Sequence, residues 1–249
     1  MSGVEEHYSS LLAGHYTWMF GISFEAKVAE QRAILEDALA GASRGLAVDL
    51  GSGPGFQTIA LAEMGYSPVV AMDTSAELLE ELLSHRASHD VRVVHGDMLR
   101  VGEFVGLETD LGLADVMVCM GDTITHLESK EGVVRLLHAV RDGLVVGGRF
   151  VVSYRDLSVE AVGVDRFIPV FGDEERVMTC FLEFDRPESV MVHDLVYRRE
   201  GSRWVLEKSC YRKLRLGVDW LEGAMREVGF EVERGVAGRL VRLVGWKSR

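Results

Sequence analysis

Three glycines at alternate positions follow one acidic residue at the end of a short apolar run. The acid is Asp49, and the glycines are Gly51, Gly53 and Gly55. Glycines at this spacing let the backbone turn tightly out of a strand and let a ligand approach without a Cβ in the way. The carboxylate of Asp49 can hold the loop or accept a hydrogen bond from a cationic ligand. The segment is therefore interpreted as a ligand-binding turn, with a turn that binds nothing as the alternative.

Two further carboxylates follow the next two apolar runs of the chain. Asp73, with Thr74 after it, lies about 20 residues past the first glycine, where an acid can bind the hydroxyls of a ribose. Asp97 can accept a hydrogen bond from the amine of an adenine while Met98 packs on the ring. Taken alone, Asp97 is equally a solvated loop residue or a helix cap. Because ligands of open α/β sheets bind at the carboxyl ends of the strands, these residues together predict one site for a nucleoside-containing ligand.

A dinucleotide is the first alternative ligand for such a loop. Its fingerprint, GxGxxG, needs the third glycine at position 56, but Phe56 stands there and Gly55 comes one residue early. The charge of Asp49 would also repel a diphosphate. Both departures weaken the prediction of a nicotinamide cofactor.

Strand and helix signals alternate around these motifs. Short apolar runs that predict strands lie at 46–50, 69–72, 91–94, 116–119 and 149–153. Helical spacing of apolar residues predicts helices over 24–40, 56–63, 75–84 and 133–144. Strands separated by helices form βαβ units, so the fold class is predicted as α/β with a doubly wound, mostly parallel sheet.

After about Leu157 the pattern changes to three long segments with strand-like alternation. The turns between them, 185–188 and 200–202, are too short for a parallel crossover, so the strands must be antiparallel. We predict an antiparallel flap over 158–215, inserted into a main domain formed by 1–157 and 216–249. The alternative is that these strands extend the main sheet. A helix over 218–228 and strands around 230–232 and 240–244 are expected to close the main domain.

Composition narrows the classes of function. With 39 acidic residues against 27 Lys and Arg, the formal net charge of −12 disfavours a nucleic-acid partner, whose phosphates are bound mainly by Lys and Arg. The three cysteines and eight histidines show no metal-ligand spacing, so reduced thiols and no metal site are expected. The first residues lack the basic start and apolar run of a signal peptide, and no run of about 18 apolar residues occurs. These features predict a cytoplasmic protein with no membrane partner.

The ordered set of motifs resembles the class I S-adenosylmethionine-dependent methyltransferases. Their first motif, D/E-x-G-x-G-x-G, matches Asp49–Gly55, their second-strand acid matches Asp73, and their adenine-binding acid matches Asp97. The resemblance covers about residues 45–156. It implies S-adenosyl-L-methionine as cofactor and a Rossmann-like sheet of about seven strands, the last antiparallel. The flap and the aromatic N-terminal segment are most similar to the small-molecule branch that includes glycine and sarcosine N-methyltransferases.

The resemblance also places candidate residues after the fourth and fifth strands. It puts Met120 near the methionine part of the cofactor, with Asp122 and His126 projecting toward the methyl group. Asp122 would then bind an ammonium substrate and His126 would accept a proton, the alternatives being a helix cap and a packed polar residue. Tyr154 and Arg155 lie at the same rim, where Arg155 either clamps a substrate carboxylate or forms a structural ion pair.

Two outer segments supply further candidates. The N-terminal stretch 15–21 is rich in aromatic residues, and in the resembling families such a segment closes over the cofactor, which makes Tyr16 a candidate contact. The alternative is an aromatic staple that packs the N-terminus onto the core. On the flap, His193, Tyr197 and Tyr211 are candidates to face the substrate.

The expected function is methyl transfer to a small molecule, with nitrogen favoured over oxygen as the acceptor atom. The segment after the fourth strand has neither the Asn-Pro-Pro-Tyr type of motif of adenine-modifying enzymes nor the Pro-Cys nucleophile of cytosine-modifying ones. The alternatives are a small-molecule O-methyltransferase, an NAD(P)-dependent oxidoreductase and a non-catalytic module that binds the cofactor. The oligomeric state is left open, a homodimer included.

Overall fold

The computed structural model describes residues 3–248. Residues 1, 2 and 249, which the sequence analysis assigns to the main domain, lie outside the described residues. The α-helices are α1 (Gly3–His7), α2 (Phe24–Ala38), α3 (Phe56–Glu63), α4 (Ala76–His85), α5 (Lys130–Gly143) and α6 (Val218–Val228). The strands are β1 (Ala47–Leu50), β2 (Val69–Asp73), β3 (Val91–His95), β4 (Ala114–Cys119), β5 (Leu144–Tyr154), β6 (Phe167–Gly172), β7 (Arg176–Glu183), β8 (Ser189–Glu200), β9 (Arg203–Leu214), β10 (Phe230–Ala237) and β11 (Leu240–Lys247).

The main sheet has seven strands in the order β10-β11-β5-β4-β1-β2-β3. Strands β1 to β5 pair in parallel, whereas β11 is antiparallel to both β5 and β10. This confirms the predicted doubly wound sheet. The strand order reverses between β1 and β4, and ligands of such sheets bind in the crevice at that point.

Helices cover both faces of this sheet. Within β1, Ala47 packs in the cluster that holds α2, α3 and α4, while Val48 and Leu50 pack with α5 and α6. Successive side chains of a strand point to opposite faces, so a strand buried on both sides reads as a continuous apolar run. The two clusters hold the strand ends rigidly in place, which fixes whatever the following loops carry.

The second sheet is antiparallel, with the order β6-β7-β8-β9, and is separate from the main sheet. An antiparallel flap is therefore confirmed, and the alternative that its strands extend the main sheet is wrong. The edge strand β6 was not predicted. It contains Pro169, which removes a backbone donor and argues against a strand in sequence, although edge strands tolerate proline.

The face of the flap that is buried is not the face on which His193 and Tyr197 lie. On β8, Val190, Val192 and Val196 are buried, whereas His193 is half-buried and Tyr197 is 40% exposed on the other face. The prediction that His193 and Tyr197 face the substrate is therefore wrong. Apolar side chains occur on both faces of β8, so alternation alone does not reveal which face is covered.

The N-terminal segment covers the inner face of the flap. After α1 the chain continues through a π-turn, Tyr8–Leu12, and short 3₁₀ turns up to Phe20. Leu11 and Leu12 pack against Met178 and Val196 of the flap. Further along, the hydroxyl of Thr17 donates to Glu81 Oε1 at 2.6 Å, which ties the segment to α4. None of the helices within residues 3–248 combines the length and apolarity that a bilayer-crossing helix requires.

Candidate active site

A cavity of about 290 Å³ opens at the carboxyl ends of β1 to β4, at the reversal point of the sheet. Its walls come from the strand ends, from the turn after β4 with the beginning of α5, and from the N-terminal segment. In chain order, the lining residues are Val4, Glu5, Tyr8, Tyr16, Gly51, Gly53, Met72, Asp73, Thr74, Leu78, Gly96, Asp97, Met98, Leu99, Thr123, His126, Leu127, Glu128, Ser129, Gly132 and Arg135.

The glycine loop forms one wall of the cavity. Gly51 and Gly53 have φ values of +70° and +53°, a conformation that favours glycine. A Cβ on Gly51 would collide with the side chain of Thr123, and a Cβ on Gly53 would lie 3.6 Å from Cε1 of Tyr16. Gly55, at φ +96°, begins α3 and packs against a leucine of α4. Gly51 and Gly53 thus keep space for a ligand, while Gly55 shapes the loop from outside the cavity.

Asp73 joins the glycine loop to the end of β2. Its Oδ2 accepts a hydrogen bond from the Gly53 N–H at 2.8 Å, and its Oδ1 accepts one from the Ser75 N–H at 2.8 Å. Burial raises the pKa of Asp73, and these backbone donors oppose the rise. Thr74 lines the cavity beside it, and its carbonyl oxygen lies 2.9 Å from Nε2 of His95. A carboxylate is thus fixed beside the loop, with lone pairs left for hydroxyl groups.

Asp97 and Met98 follow β3 and border the cavity as predicted. Asp97 Oδ1 accepts from the Leu99 N–H at 2.9 Å and caps a short 3₁₀ turn. The cap and the ligand contact are compatible, because a carboxylate has about four lone-pair sites and the cap uses one.

Asp49 and Met120 lie beneath the cavity rather than in its wall. Asp49 is 1% exposed, and its Oδ2 accepts from the hydroxyl of Thr58 at 2.6 Å. Burial raises the pKa of Asp49 to about 7, although the Thr58 hydroxyl opposes the rise. Met120 is 4% exposed, and its carbonyl accepts from the Thr123 hydroxyl at 2.9 Å. Both residues therefore support the loop from below, which is the holding role considered for Asp49.

His126 reaches the cavity from the 3₁₀ turn Thr123–His126 after β4. Its Nε2 is buried and has no hydrogen-bond partner among residues 3–248. Burial and, after it, the charges of Lys213 and His7 lower the pKa of His126 to about 3, and Asp122 opposes them. The imidazole is therefore neutral near pH 7. With the proton on Nδ1, the free Nε2 is a hydrogen-bond acceptor.

Aromatic rings surround this imidazole. The ring centroids of Tyr8 and Tyr211 lie 5.9 and 5.4 Å from that of His126, both in edge-on geometry. His7 stacks on Tyr211 at 4.3 Å, and its Nε2 lies 3.0 Å from Oδ2 of Asp194. The contacts bring α1 and the flap together around the turn after β4. They surround His126 with aromatic side chains.

Asp122 does not line the cavity, in contrast to its predicted contact with an ammonium substrate. Its Oδ1 accepts from the Arg155 backbone N–H at 2.5 Å, and its Oδ2 lies 3.1 Å from Nζ of Lys213. Burial by itself raises the pKa of Asp122, but Lys213 and the Arg155 N–H outweigh it and lower the pKa. Both oxygens serve structural contacts, because a buried carboxylate needs such partners.

Tyr154 and Arg155 also lie away from the cavity. Tyr154 is fully buried in the core beside α5 and α6, and its hydroxyl has no hydrogen-bond partner within residues 3–248. Burial raises the pKa of Tyr154, with Asp156 adding to the rise. Arg155 is exposed, and its charge acts on Lys213 and on Cys180 of the flap. Tyr154 thus ends β5 in the core, Arg155 follows it on the flap side, and neither lines the cavity.

The structure divides the predicted residues into three groups. Those that line the cavity are Tyr16, Gly51, Gly53, Asp73, Thr74, Asp97, Met98 and His126; those that support it from below or outside are Asp49, Gly55 and Met120; those away from it are Asp122, Tyr154 and Arg155. Sequence reasoning missed Tyr8, His7, Asp194 and Lys213. Tyr8 carries the same signal as Tyr16, an aromatic residue in the N-terminal segment, whereas the other three depend on contacts distant in sequence.

Known proteins agree with this geometry. Residues 47–148 match a family model described as a methyltransferase domain. The search of curated proteins found no match to the chain.

Similar solved structures extend over nearly the whole chain. The CcbJ methyltransferase from Streptomyces caelestis has a TM-score of 0.75 at 20% identity, covering 98% of this chain and 99% of that chain. An S-adenosylmethionine-dependent methyltransferase from Clostridium acetobutylicum ATCC 824 has a TM-score of 0.72 at 13% identity, covering 99% and 98%. The sugar N-methyltransferase KedS8 from Streptoalloteichus sp ATCC 53650 has a TM-score of 0.69 at 18% identity, covering 92% and 90%.

Together these findings confirm the predicted class at the level of the domain and the fold. Residues 47–148 match the methyltransferase-domain model, and the whole chain has the fold of solved S-adenosylmethionine-dependent methyltransferases, flap included. They also support S-adenosyl-L-methionine as the cofactor. The narrower resemblance to glycine and sarcosine N-methyltransferases stays a prediction.

Proposed function

We propose that this chain transfers the methyl group of S-adenosyl-L-methionine to an amine nitrogen of a small molecule. One observation carries the proposal: one cavity is lined both by the glycine loop with two strand-end acids and by His126, whose buried Nε2 has no hydrogen-bond partner within residues 3–248. A nucleoside cofactor and an acceptor can therefore meet inside one enclosure.

The cofactor end fits the proposed group. Gly51 and Gly53 leave the wall free of side chains, and Asp73 presents a carboxylate for the hydroxyls of a ribose. Asp97 and Met98 supply an acceptor and an apolar surface for an adenine. When bound, the cofactor supplies an activated methyl on a sulfonium, a good leaving group. The nearby acids Asp49 and Asp73 favour a cationic ligand over a diphosphate.

The residues at the other end serve alignment and exclusion of water. Tyr8 and Tyr16 line the cavity from the N-terminal segment, and Tyr211 of the flap packs edge-on against His126. Holding donor and nucleophile in line inside a dry enclosure accounts for most of what a methyl transfer needs from its protein.

His126 orients the acceptor atom. Its neutral Nε2 can accept a hydrogen bond from an amine N–H, which keeps the nitrogen lone pair available for the methyl group. As positive charge develops on the nitrogen, this hydrogen bond strengthens, and the product ammonium releases its proton to water after it leaves the cavity. A phenol would instead have to lose its proton to an imidazole whose pKa is lowered to about 3, so nitrogen is the favoured acceptor.

Amino sugars are the first acceptor class to test, because one similar structure is that of a sugar N-methyltransferase. An O-methyltransferase for small molecules remains the second candidate. We further propose that residues 158–215 form the acceptor-side unit and the remaining residues the cofactor-binding domain. That division would place specificity in the flap and in the N-terminal segment that it contacts.

The test is a panel of amino sugars, other small amines and phenols, assayed for formation of S-adenosylhomocysteine. We expect turnover with at least one amine. His126→Gln should lower that turnover by about 10²-fold or more, since it displaces the hydrogen-bond acceptor that aligns the reacting nitrogen. The matched control is His138→Gln, which changes an exposed histidine on α5 and should leave turnover unaltered. Turnover with phenols alone, or full activity in His126→Gln, would contradict the proposal.

A further inference from the structure

We propose that the ion pair between Lys213 and Asp122 is a positioning device that fixes the turn carrying His126 and sets two opposite charges beside its imidazole. The inference rests on the proposed function of His126. It assigns a role to two residues that lie outside the cavity lining, one on the flap and one on the turn after β4.

The pair is buried and joins distant parts of the chain. Lys213 Nζ lies 3.1 Å from Asp122 Oδ2, and the two side chains are only 12% and 16% exposed. Lys213 lies on β9, and Asp122 follows β4, with 91 residues between them. Burying two charges costs free energy that is recovered only by close pairing and added hydrogen bonds. The Arg155 N–H, at 2.5 Å from the other oxygen, provides one.

Asp122 also fixes the turn that carries His126. It has φ +80°, a left-handed conformation that is uncommon outside glycine. Its backbone oxygen accepts from both the N–H and the hydroxyl of Thr125, at 2.9 and 2.6 Å. The pair with Lys213 therefore holds the residue that precedes the 3₁₀ turn Thr123–His126.

Charged and titratable groups face His126 from every element that packs around it. Lys213 and Tyr211 lie on β9, Tyr8 on the π-turn, His7 on α1, and Asp122 on the turn itself; Asp194 of β8 faces it only through His7. The cation of Lys213 disfavours a proton on the imidazole, and the anion of Asp122 favours one. The effect of Lys213 is the larger of the two, so the pair acts in the same direction as burial and helps to keep the imidazole neutral.

This arrangement predicts opposite effects of the two single substitutions. Lys213→Met leaves the Asp122 carboxylate unbalanced, so the pKa of His126 should rise by about one unit or more. Asp122→Asn leaves the ammonium unbalanced, so the pKa should fall further or stay below the range in which the protein is folded. The double variant removes both charges and should return the pKa toward its original value. A merely structural role for the pair would not give shifts of opposite sign.

The experiment is an NMR titration of the imidazole resonances in histidine-labelled protein, with the His126 signal assigned through His126→Gln. Lys208→Met is the matched control, because it removes an exposed lysine from the same strand. Lys213→Arg should keep the low pKa of the wild type. In an assay of turnover against pH, the acid limb for Lys213→Met should move up by the same shift.

Shifts in the same direction for both single variants, or an unchanged His126 titration in Lys213→Met, would overturn the proposal. If Lys213→Met does not fold, the pKa of His126 in Asp122→Asn is compared with its pKa in the double variant. The higher pKa is expected in the double variant, and equal values would overturn the proposal. The titration reads the imidazole directly, without a substrate. Expected shifts combined with full activity in His126→Gln would therefore refute the proposed function and leave the positioning role standing.

Discussion

The two ends of the cavity are built in different ways. The cofactor end comes from consecutive strand ends of one sheet, and its polar groups are carboxylates held by nearby backbone N–H groups, such as Asp73 with Gly53. The acceptor end comes from three segments that meet only in the folded chain. His7 and Asp194 are 187 residues apart, and Asp122 and Lys213 are 91 apart. The residues of the cofactor end are therefore recognisable from their local spacing in the sequence, whereas those of the acceptor end are brought together only by tertiary contacts.

The difference extends to electrostatics. At the cofactor end, burial raises the pKa of Asp49 and of Asp73, with no cation bonded to either carboxylate in residues 3–248. At the acceptor end Lys213 and Asp122 form a buried ion pair, and His126 is neutral. A site of the first kind stabilises a bound cation, whereas a site of the second kind suits an uncharged nucleophile. This division is what a methyl transfer from a sulfonium to an amine requires.

The largest effect is expected from adding one methyl group to the cofactor end. Gly51→Ala places a Cβ against Thr123 at φ +70°, so the loop must shift, and affinity for S-adenosylhomocysteine should fall by at least about 10²-fold. Gly201→Ala is the matched control. It has a similar φ of +62° but open space around the added methyl, so it carries the backbone strain alone. Calorimetric titration measures both, and equal affinities for the two variants would refute the role of the loop.

A smaller effect on cofactor affinity is expected from a substitution that removes a buried contact at the acceptor end. Asp194→Ala leaves the fully buried His7 without its partner and should lower the free energy of unfolding by about 3 kcal/mol. Because this releases only the segment above the cavity, affinity for S-adenosylhomocysteine should change by less than about tenfold, a difference under about 1.4 kcal/mol.

The control for this variant is Glu183→Ala. Glu183 pairs with His193 at 2.9 Å on the exposed face of the same flap, and an exposed pair contributes less than about 1 kcal/mol. Urea unfolding distinguishes the two. Equal losses in both variants would show that the buried pair does not anchor the N-terminal segment.

The contrast between the two ends also explains how far the sequence could predict the site. The acids and glycines of the cofactor end were found because parallel strands bring their carboxyl ends to one edge, so motif order implies proximity. Gly51, Asp73 and Asp97 all line the cavity accordingly. The sheet itself was predictable for the same reason, since strands separated by helices allow few topologies.

The acceptor end could not be predicted in this way. Asp122 was expected to contact substrate because it follows β4, but it pairs with Lys213 of the flap instead. The alternation of apolar residues in the flap strands did not show which of their faces is buried, so this pair could not be predicted. Tyr154 was expected at the same rim, yet the last residue of β5 points into the core. His126 was selected correctly as a cavity residue, but the burial that keeps it neutral depends on α1 and β9, which no local pattern places beside it.

The central claim is that the cavity binds a sulfonium cofactor rather than a dinucleotide. Calorimetric titration of the wild-type chain with S-adenosylhomocysteine, and separately with NAD, tests it most directly. Saturable binding of S-adenosylhomocysteine and no heat with NAD is the predicted result. Binding of NAD with no heat from S-adenosylhomocysteine would contradict the account and would show that the glycine loop binds a dinucleotide.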